Sequence, residues 1–236
     1  MIEEIFPLVC EKVRCAHERL HFFRGHDHNH TFRVAEMAYR IALHEWNDED
    51  VAESAALAGV CHDAGHIMQK VLHACKIAVT DSAIADLVHA WLISEDLFPA
   101  DKEEIVSAVL EHGKANGDQD SKVLIALKDA DRVVNLALDL VIRAGQHYHD
   151  LPAVDFEHFL DDPDASYQAP KSVLRDIDYA LEWTDKKSPH HIRTSLGRKI
   201  GESRATVLRN FLLILQRQLK EEGLLQHIKE NDLCGL

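Results

Sequence analysis

Apolar residues recur at helical spacing along most of this chain, and this periodicity restricts the possible folds more than any other feature. Near the start, Ile2, Ile5, Phe6, Val9 and Val13 follow the repeat of a helix. Alternating runs rich in Val and Thr are few, and the 236 residues include 10 Gly and 6 Pro. The hydrophobic fraction of 46% is enough to fill a globular interior. We therefore expect an all-α protein with long helices and short connections.

Capping residues and glycines predict where several of these helices begin and end. Asn47-Asp48 is expected to cap a buried helix that runs to His62 and ends at Gly65. The stretch Asp101-Lys-Glu-Glu104 resembles a capping box, and Gly223 is expected to end the last helix. The predicted helices cover residues 2–23, 28–44, 48–62, 83–95, 101–112, 121–145, 172–186 and 194–222.

A stretch from Leu151 to Pro170 interrupts the helical pattern and contains three of the six prolines. We expect an irregular excursion there, which would shape access for a substrate. It suggests a division into a core of residues 1–150 and a helical C-terminal extension, 151–236, packed on it. The last helix carries an apolar stripe that is expected to join the core, with a homodimer contact as the alternative. The stripe consists of Val207, Leu208, Phe211, Leu212 and Leu215.

Charge and cysteine content narrow the possible partners and the compartment. The net charge is -14 with no Lys/Arg cluster, so we expect no duplex nucleic acid partner. No apolar run approaches the length of a membrane span. Glu3 and Glu4 stand where a secretory leader would be basic, and the five cysteines are scattered. These features predict a cytoplasmic protein with free thiols.

His62-Asp63 is the first candidate functional pair, because it ends the nearly continuous apolar helix predicted from Val51 to Cys61. A buried Asp costs several kcal/mol unless it is paired or binds a metal. Imidazole and carboxylate groups are common ligands of divalent metals. The alternative is a buried His paired with a capping Asp, and the dipeptide alone does not decide between them.

Two other segments bring similar residues to apolar helices. His30 begins an amphipathic helix, and Asp131 lies within the run Lys128-Asp-Ala-Asp-Arg132 of an apolar helix. Asp disfavours helix interiors, so Asp131 in this setting needs a specific partner. Together with His62 and Asp63, these residues could form a His/His/Asp/Asp metal site.

The order His, His-Asp, Asp, with its flanking residues, resembles the HD-domain superfamily of metal-dependent phosphohydrolases. Residues 25–34 read Gly-His-Asp-x-x-His-x-x-Arg-Val, as in small bacterial HD hydrolases, and the resemblance extends to about Gly145. It implies an HD-domain helical bundle in which His30, His62, Asp63 and Asp131 bind one divalent metal.

His89 and His112 match the subset of this superfamily that binds two metals, with Asp63 as the bridging ligand. A two-metal site would hold its ions ~3.5–4 Å apart. The alternative is that His89 is an ordinary core or surface histidine. The number of ions, one or two, stays open, as does their identity among Fe, Mn, Ni, Co, Zn and Mg.

Several further residues are weaker candidates for catalysis or substrate binding. His66 stands where many family members have Lys, and one turn after His62 it is expected to face the same way. It is a candidate general acid or phosphate contact, or else a surface residue. Asp63 is the second catalytic candidate. His26 and Asp27 could orient His30. Candidate substrate ligands are Arg33, Lys128, Arg132 and His26. The alternative is a structural salt bridge for Arg33 and a solvent-facing turn for His26, and Lys128 and Arg132 are candidates only because they flank Asp131.

The resemblance implies hydrolysis of a small phosphoester, in a nucleotide or a related metabolite. Two alternatives remain at this stage. Some two-metal HD proteins are di-iron oxygenases, and the same ligand pattern could also belong to a non-catalytic sensor that binds a metal or a nucleotide.

Overall fold

The computed structural model describes residues 2–21, 27–75 and 77–225, and within these ranges the protein is all-α. The described residues form no strand, although Ser166 and Ala169 make an isolated bridge. A 3₁₀ turn, Glu182–Thr184, follows α10. The helices are α1 (Ile2–Ile5), α2 (Pro7–Arg19), α3 (His28–Trp46), α4 (Glu49–Cys61), α5 (Ala64–Ala74), α6 (Asp81–Leu92), α7 (Pro99–Glu111), α8 (Lys122–Asn135), α9 (Leu140–His147), α10 (Val173–Leu181) and α11 (Ser195–Glu221).

Helices α3, α4 and α8 pack against one another at the centre of the protein. Side chains cap two of these helices: Asp48, a predicted cap, accepts a hydrogen bond from Val51 N, and Ser121, where a helix was predicted to begin, accepts one from Leu124 N. Gly59 of α4 faces Ala35 of α3 so closely that an added Cβ would lie 2.6 Å from Ala35 Cα. The backbones of α3, which carries His30, and of α4, which ends next to His62, are therefore in contact.

Several predicted helix boundaries are wrong, and the predicted helix 2–23 is divided into α1 and α2 at Phe6. Helix α4 ends at Cys61, and Gly65 lies inside a new helix, α5, that the pattern did not predict. The His62 ring hydrogen-bonds Gly59 O at 2.8 Å and so occupies a carbonyl that a continuing helix would use. Helix α7 begins at Pro99, before Asp101, and its N-cap residue makes no side-chain hydrogen bond, so the capping box is absent.

The C-terminal helices pack on the central ones. Helix α11 contacts α8 and α3, and its side chains Leu208 and Leu212 are fully buried. Val207 of the same predicted stripe is 46% exposed, so the whole stripe does not join the core. The predicted helix 121–145 is divided into α8 and α9 by residues 136–139. Among the described helices, none has the length and apolar character needed to cross a membrane.

Candidate metal centre

Three chain segments bring the predicted ligands together. His30 lies in the first turn of α3, His62 and Asp63 join α4 to α5, and Asp131 is in α8. One ligand atom from each of His30, His62 and Asp63 lies within 4.8 Å of the other two. Asp131 Oδ1 is 3.5 Å from His30 Nε2 and 3.9 Å from His62 Nε2. The four side chains thus surround one small region.

Burial differs sharply between these four side chains. The side chains of His30 and His62 are 1% exposed and that of Asp63 is 3% exposed, whereas 26% of the Asp131 side chain is exposed. Asp131 therefore forms the side of the cluster that faces outward.

Hydrogen bonding fixes the orientation of two histidines. A carbonyl oxygen only accepts, so the contact of His62 Nδ1 with Gly59 O requires Nδ1–H as the donor. The Nε2 lone pair then points to the cluster, where this buried atom has no hydrogen-bond partner among the described residues. His112 repeats the arrangement, with Nδ1 2.7 Å from Val109 O, and its ring centroid lies 5.5 Å from that of His62.

Electrostatics favour the ligand forms of these groups. Burial lowers the pKa values of His30 and His112, which keeps both imidazoles neutral. Burial by itself raises the pKa of Asp131, but the hydrogen-bond contact with His30 and the neighbouring imidazoles of His62 and His112 outweigh it and hold that pKa below its usual value. Neutral imidazoles and an ionised carboxylate fit a divalent metal ion.

Two polar neighbours that the pattern did not single out support the cluster. Asn135 donates a hydrogen bond from Nδ2 to Asp131 Oδ1 at 2.9 Å, and its own Oδ1 accepts one from Arg143 Nη1 at 2.9 Å. Thr31 Oγ1 donates to Asp63 Oδ2 at 3.4 Å. Asp131 and Asn135 are four residues apart on one helix, and this spacing could have predicted their contact from the sequence.

His17 is a further histidine that the sequence pattern left out. It is buried on α2 at helical spacing from Val9 and Val13. Burial lowers the pKa of His17, while the charge of Asp63 raises it. His17 therefore belongs to the electrostatic surroundings of the cluster, and its place on an apolar stripe was the signal that could have found it.

The remaining histidine candidates lie apart from this group or outside the described residues. His89 is half-buried, and its Nε2 is 3.5 Å from Glu103 Oε1, between α6 and α7. His66 is exposed on α5. The expectation that it shares a face with His62 is wrong, because the two residues are not on one continuous helix. His26 lies outside the described residues.

The three cationic candidates have protein partners. Arg33 forms a two-pronged contact with Asp139, at 2.6 and 3.2 Å. Lys128 is buried and donates to Ala115 O at 2.8 Å and to Asp120 Oδ2 at 2.9 Å. Arg132 donates from Nη1 to Asn116 Oδ1 at 2.8 Å. The contact of Arg33 corresponds to the salt bridge that was its alternative, and Lys128 and Arg132 as substrate ligands stay predictions.

Asp27 does contact the residue that it was expected to orient. Its Oδ1 accepts a hydrogen bond from His30 N at 2.9 Å, which caps α3. Because the cap fixes the first turn of α3, it also fixes the backbone of His30.

Two cavities that share lining residues lie beside the cluster and its supporting residues. One, of about 150 Å³, is lined by His112, Asp131 and Arg132 together with side chains of the C-terminal half. The other, of about 610 Å³, is lined by His66, Asn135 and Arg143 among others. Tyr167 and Gln168, from the excursion 151–170, line both cavities. The excursion therefore borders the open side of the cluster.

Comparison with known proteins gives a family and a fold. The family model described as HD domain matches residues 28–136. A crystal structure of a Lactobacillus plantarum protein, a structural genomics target, superposes with a TM-score of 0.63 at 15% identity. The match covers 94% of this chain and 100% of that one, and at this identity it shows a shared fold. No curated protein matches the chain significantly.

Proposed function

We propose that the protein hydrolyses a small phosphoester, because residues 28–136 match the model of the HD domain, a superfamily of metal-dependent hydrolases. The observation that carries the proposal is the buried group of His30, His62 and Asp63, with Asp131 between it and a cavity. The substrate would be a nucleotide or a related small metabolite that enters through this cavity.

The proposed metal ligands are His30, His62, Asp63 and Asp131. When bound, a divalent ion supplies Lewis acidity, which acidifies water and polarises a phosphoryl group. His112 lines the same cavity, and its Nδ1–H is held by Val109 O, so its Nε2 can accept a proton from the attacking water. His66 borders the larger cavity and stays a prediction as the general acid.

We propose one ion rather than two. His30, His62 and Asp63 supply one compact ligand group, whereas the nearest charged partner found for His89 is Glu103, at 3.5 Å. A di-iron oxygenase would need the second ion, so this contact supports the hydrolase over that alternative.

The proposed environment is the cytoplasm, with a small phosphorylated molecule as the partner. Cys10, Cys15, Cys61 and Cys75, which are among the described residues, are free thiols, as expected for a reducing compartment. The net charge of -14 supports a small substrate over duplex nucleic acid.

The test combines metal analysis with hydrolysis of a panel of phosphoesters by protein loaded with Mg²⁺, Mn²⁺, Zn²⁺, Co²⁺, Ni²⁺ or Fe²⁺. His62→Ala and Asp63→Ala are expected to lose bound metal and to lower kcat/KM by at least about 100-fold, since each removes a buried ligand. His89→Ala is the matched control and should keep both properties. Circular dichroism checks that each variant is folded.

Three results would contradict parts of this proposal. Full metal content in folded Asp63→Ala would show that Asp63 is not a metal ligand and would contradict the proposed site. Metal binding by the wild type without hydrolysis of any ester would favour a sensor. Loss of half the metal in His89→Ala would favour two ions.

A further inference from the structure

The excursion 151–170 presents an aromatic side chain at the open side of the cluster. Ser166 and Ala169 exchange two backbone hydrogen bonds, Ser166 N to Ala169 O at 3.1 Å and Ala169 N to Ser166 O at 2.9 Å. Tyr167 and Gln168 are the two residues between them, at the tip of this turn. The turn therefore holds Tyr167 in a defined position beside the cavity.

Three aromatic rings form one wall of the cavity of about 150 Å³. Tyr167 lies edge-to-face against Tyr179, with ring centroids 6.4 Å apart, and against Trp183, at 6.3 Å. The Arg175 guanidinium already covers the Tyr179 ring at 4.1 Å. Tyr167 is 52% exposed, so it has free surface to offer a ligand. Flat rings pack favourably on such a surface.

The same cavity is also lined by Asp131 and His112 of the metal centre. A volume of about 150 Å³ is comparable to a cavity that holds one benzene-sized ring. Gln168 and Ser188 supply polar groups at the cavity wall. A molecule with its reacting group at Asp131 would thus have its neighbouring part against the aromatic wall.

Charge argues for a neutral ring over a cationic group, which aromatic walls can also bind. Arg132 lines the cavity, and the pKa of His190, also in its wall, is lowered by burial and then by the charges of Arg132 and Lys128. The carboxylate of Glu182 is on an exposed residue, where water screens it, and the charge of Asp131 would be offset by the ion that it is proposed to bind.

We propose that Tyr167 and Trp183 form a subsite for the flat ring of the leaving group of a phosphoester. This assignment rests on the proposed hydrolase function and specifies its substrate class. Residues 167–190 lie outside the HD-domain match of 28–136, so the subsite would be a contribution of the C-terminal half.

The test compares kcat/KM for two ring-bearing esters, phenyl phosphate and a nucleoside 5′-monophosphate, with two aliphatic esters, glycerol phosphate and phosphocholine. Tyr167→Ala is expected to lower kcat/KM for the ring-bearing esters by about 10- to 100-fold, as expected for a lost stacking contact. The aliphatic esters should be unaffected, and Tyr167→Phe should retain the preference. Phe156→Ala, 51% exposed on the same excursion, is the matched control.

Equal losses for all four esters, or no loss, would overturn the subsite. A loss confined to phosphocholine would show a cation subsite and would overturn it as well.

Binding of a free nucleoside, measured by calorimetry, separates this proposal from the hydrolase function. Wild-type protein should bind the nucleoside at least about 10-fold more tightly than Tyr167→Ala. If binding follows this pattern while no ester is hydrolysed, the subsite stands and the proposed function fails.

Discussion

In the polar run Lys128–Arg132 of α8, neighbouring charged side chains have different partners, because each position faces a different part of the protein. Lys128 and Arg132 bind the 115–120 segment, Asp131 faces the metal cluster, and Asp129 accepts hydrogen bonds from Arg193 N at 2.8 Å and Thr194 N at 2.7 Å. Each buried charge thus has its own compensation, which an apolar helix requires.

Asn135 should matter for metal affinity although it is not a proposed ligand. Its amide holds Asp131 Oδ1, and its carbonyl is held by Arg143. Asn135→Ala should raise the Kd for the divalent ion by about 10- to 100-fold, the usual range for residues that orient a ligand. Chelator competition measures this change, with Gln218→Ala on the exposed face of α11 as the control. An unchanged Kd would leave Asn135 without a positioning role.

The ligand residues could be named from sequence because charged side chains on apolar helices are conspicuous, and because their order resembles a known family. The supporting residues could not be named so readily. A single His or Asn on a helix, such as His17 or Asn135, is commonly satisfied by any nearby group. Its actual partner depends on how helices far apart in sequence pack together.

At the scale of elements, the close packing of α3 on α4 sets the positions of His30 and His62. Gly59 makes the approach possible, and its carbonyl also orients the His62 ring. Gly59 therefore affects both the distance between α3 and α4 and the tautomer of His62.

Gly59→Ala should destabilise the protein by about 1–3 kcal/mol or more, because the new Cβ would overlap the Ala35 backbone. It should also weaken metal binding. Gly145→Ala is the matched control, since its Cβ would meet nothing within 4 Å and Ala favours helix α9. Urea denaturation measures both variants. Equal stabilities for Gly59→Ala and the wild type would show that the helices can separate at little cost.

The long helices were predictable from periodicity and from caps such as Asp48, Ser121 and Thr194, which depend on local chemistry. The break after Cys61 was not. It coincides with a ring-to-carbonyl hydrogen bond of His62, and nothing in the apolar pattern signals such a contact.

At the scale of the whole molecule, Asp176 connects α10 to the end of α9. Burial raises the pKa of Asp176 to about 6, although a hydrogen bond from Tyr148 and the charge of Arg143 lower it. The carboxyl group lines the larger cavity, and its partners Tyr148 and Arg143 belong to the predicted core 1–150. The division of the chain into a core 1–150 and an extension 151–236 stays a prediction. The contact of Asp176 with Tyr148 joins residues on both sides of it.

Asp176→Asn should stabilise the protein at neutral pH. A raised pKa means that the folded state retains a proton which the unfolded state releases, so wild-type stability falls as pH rises from about 4 to about 6. The variant avoids this loss and should be more stable at pH 7.5 by on the order of 1 kcal/mol, with little difference at pH 4. Denaturation at both pH values measures it, with the exposed Asp161→Asn as the control. A difference independent of pH would contradict the assignment.

The hydrogen bonds of Asp129 also affect how the protein is made. Thr194 follows Asp129 by 65 residues, so a ribosome synthesises α8 roughly 3–13 seconds before the backbone groups that satisfy this carboxylate exist. Until then the nascent chain has to expose or neutralise a side chain that is fully buried in the folded protein. The hydrogen bonds that compensate Asp129 can therefore form only after Thr194 has been synthesised.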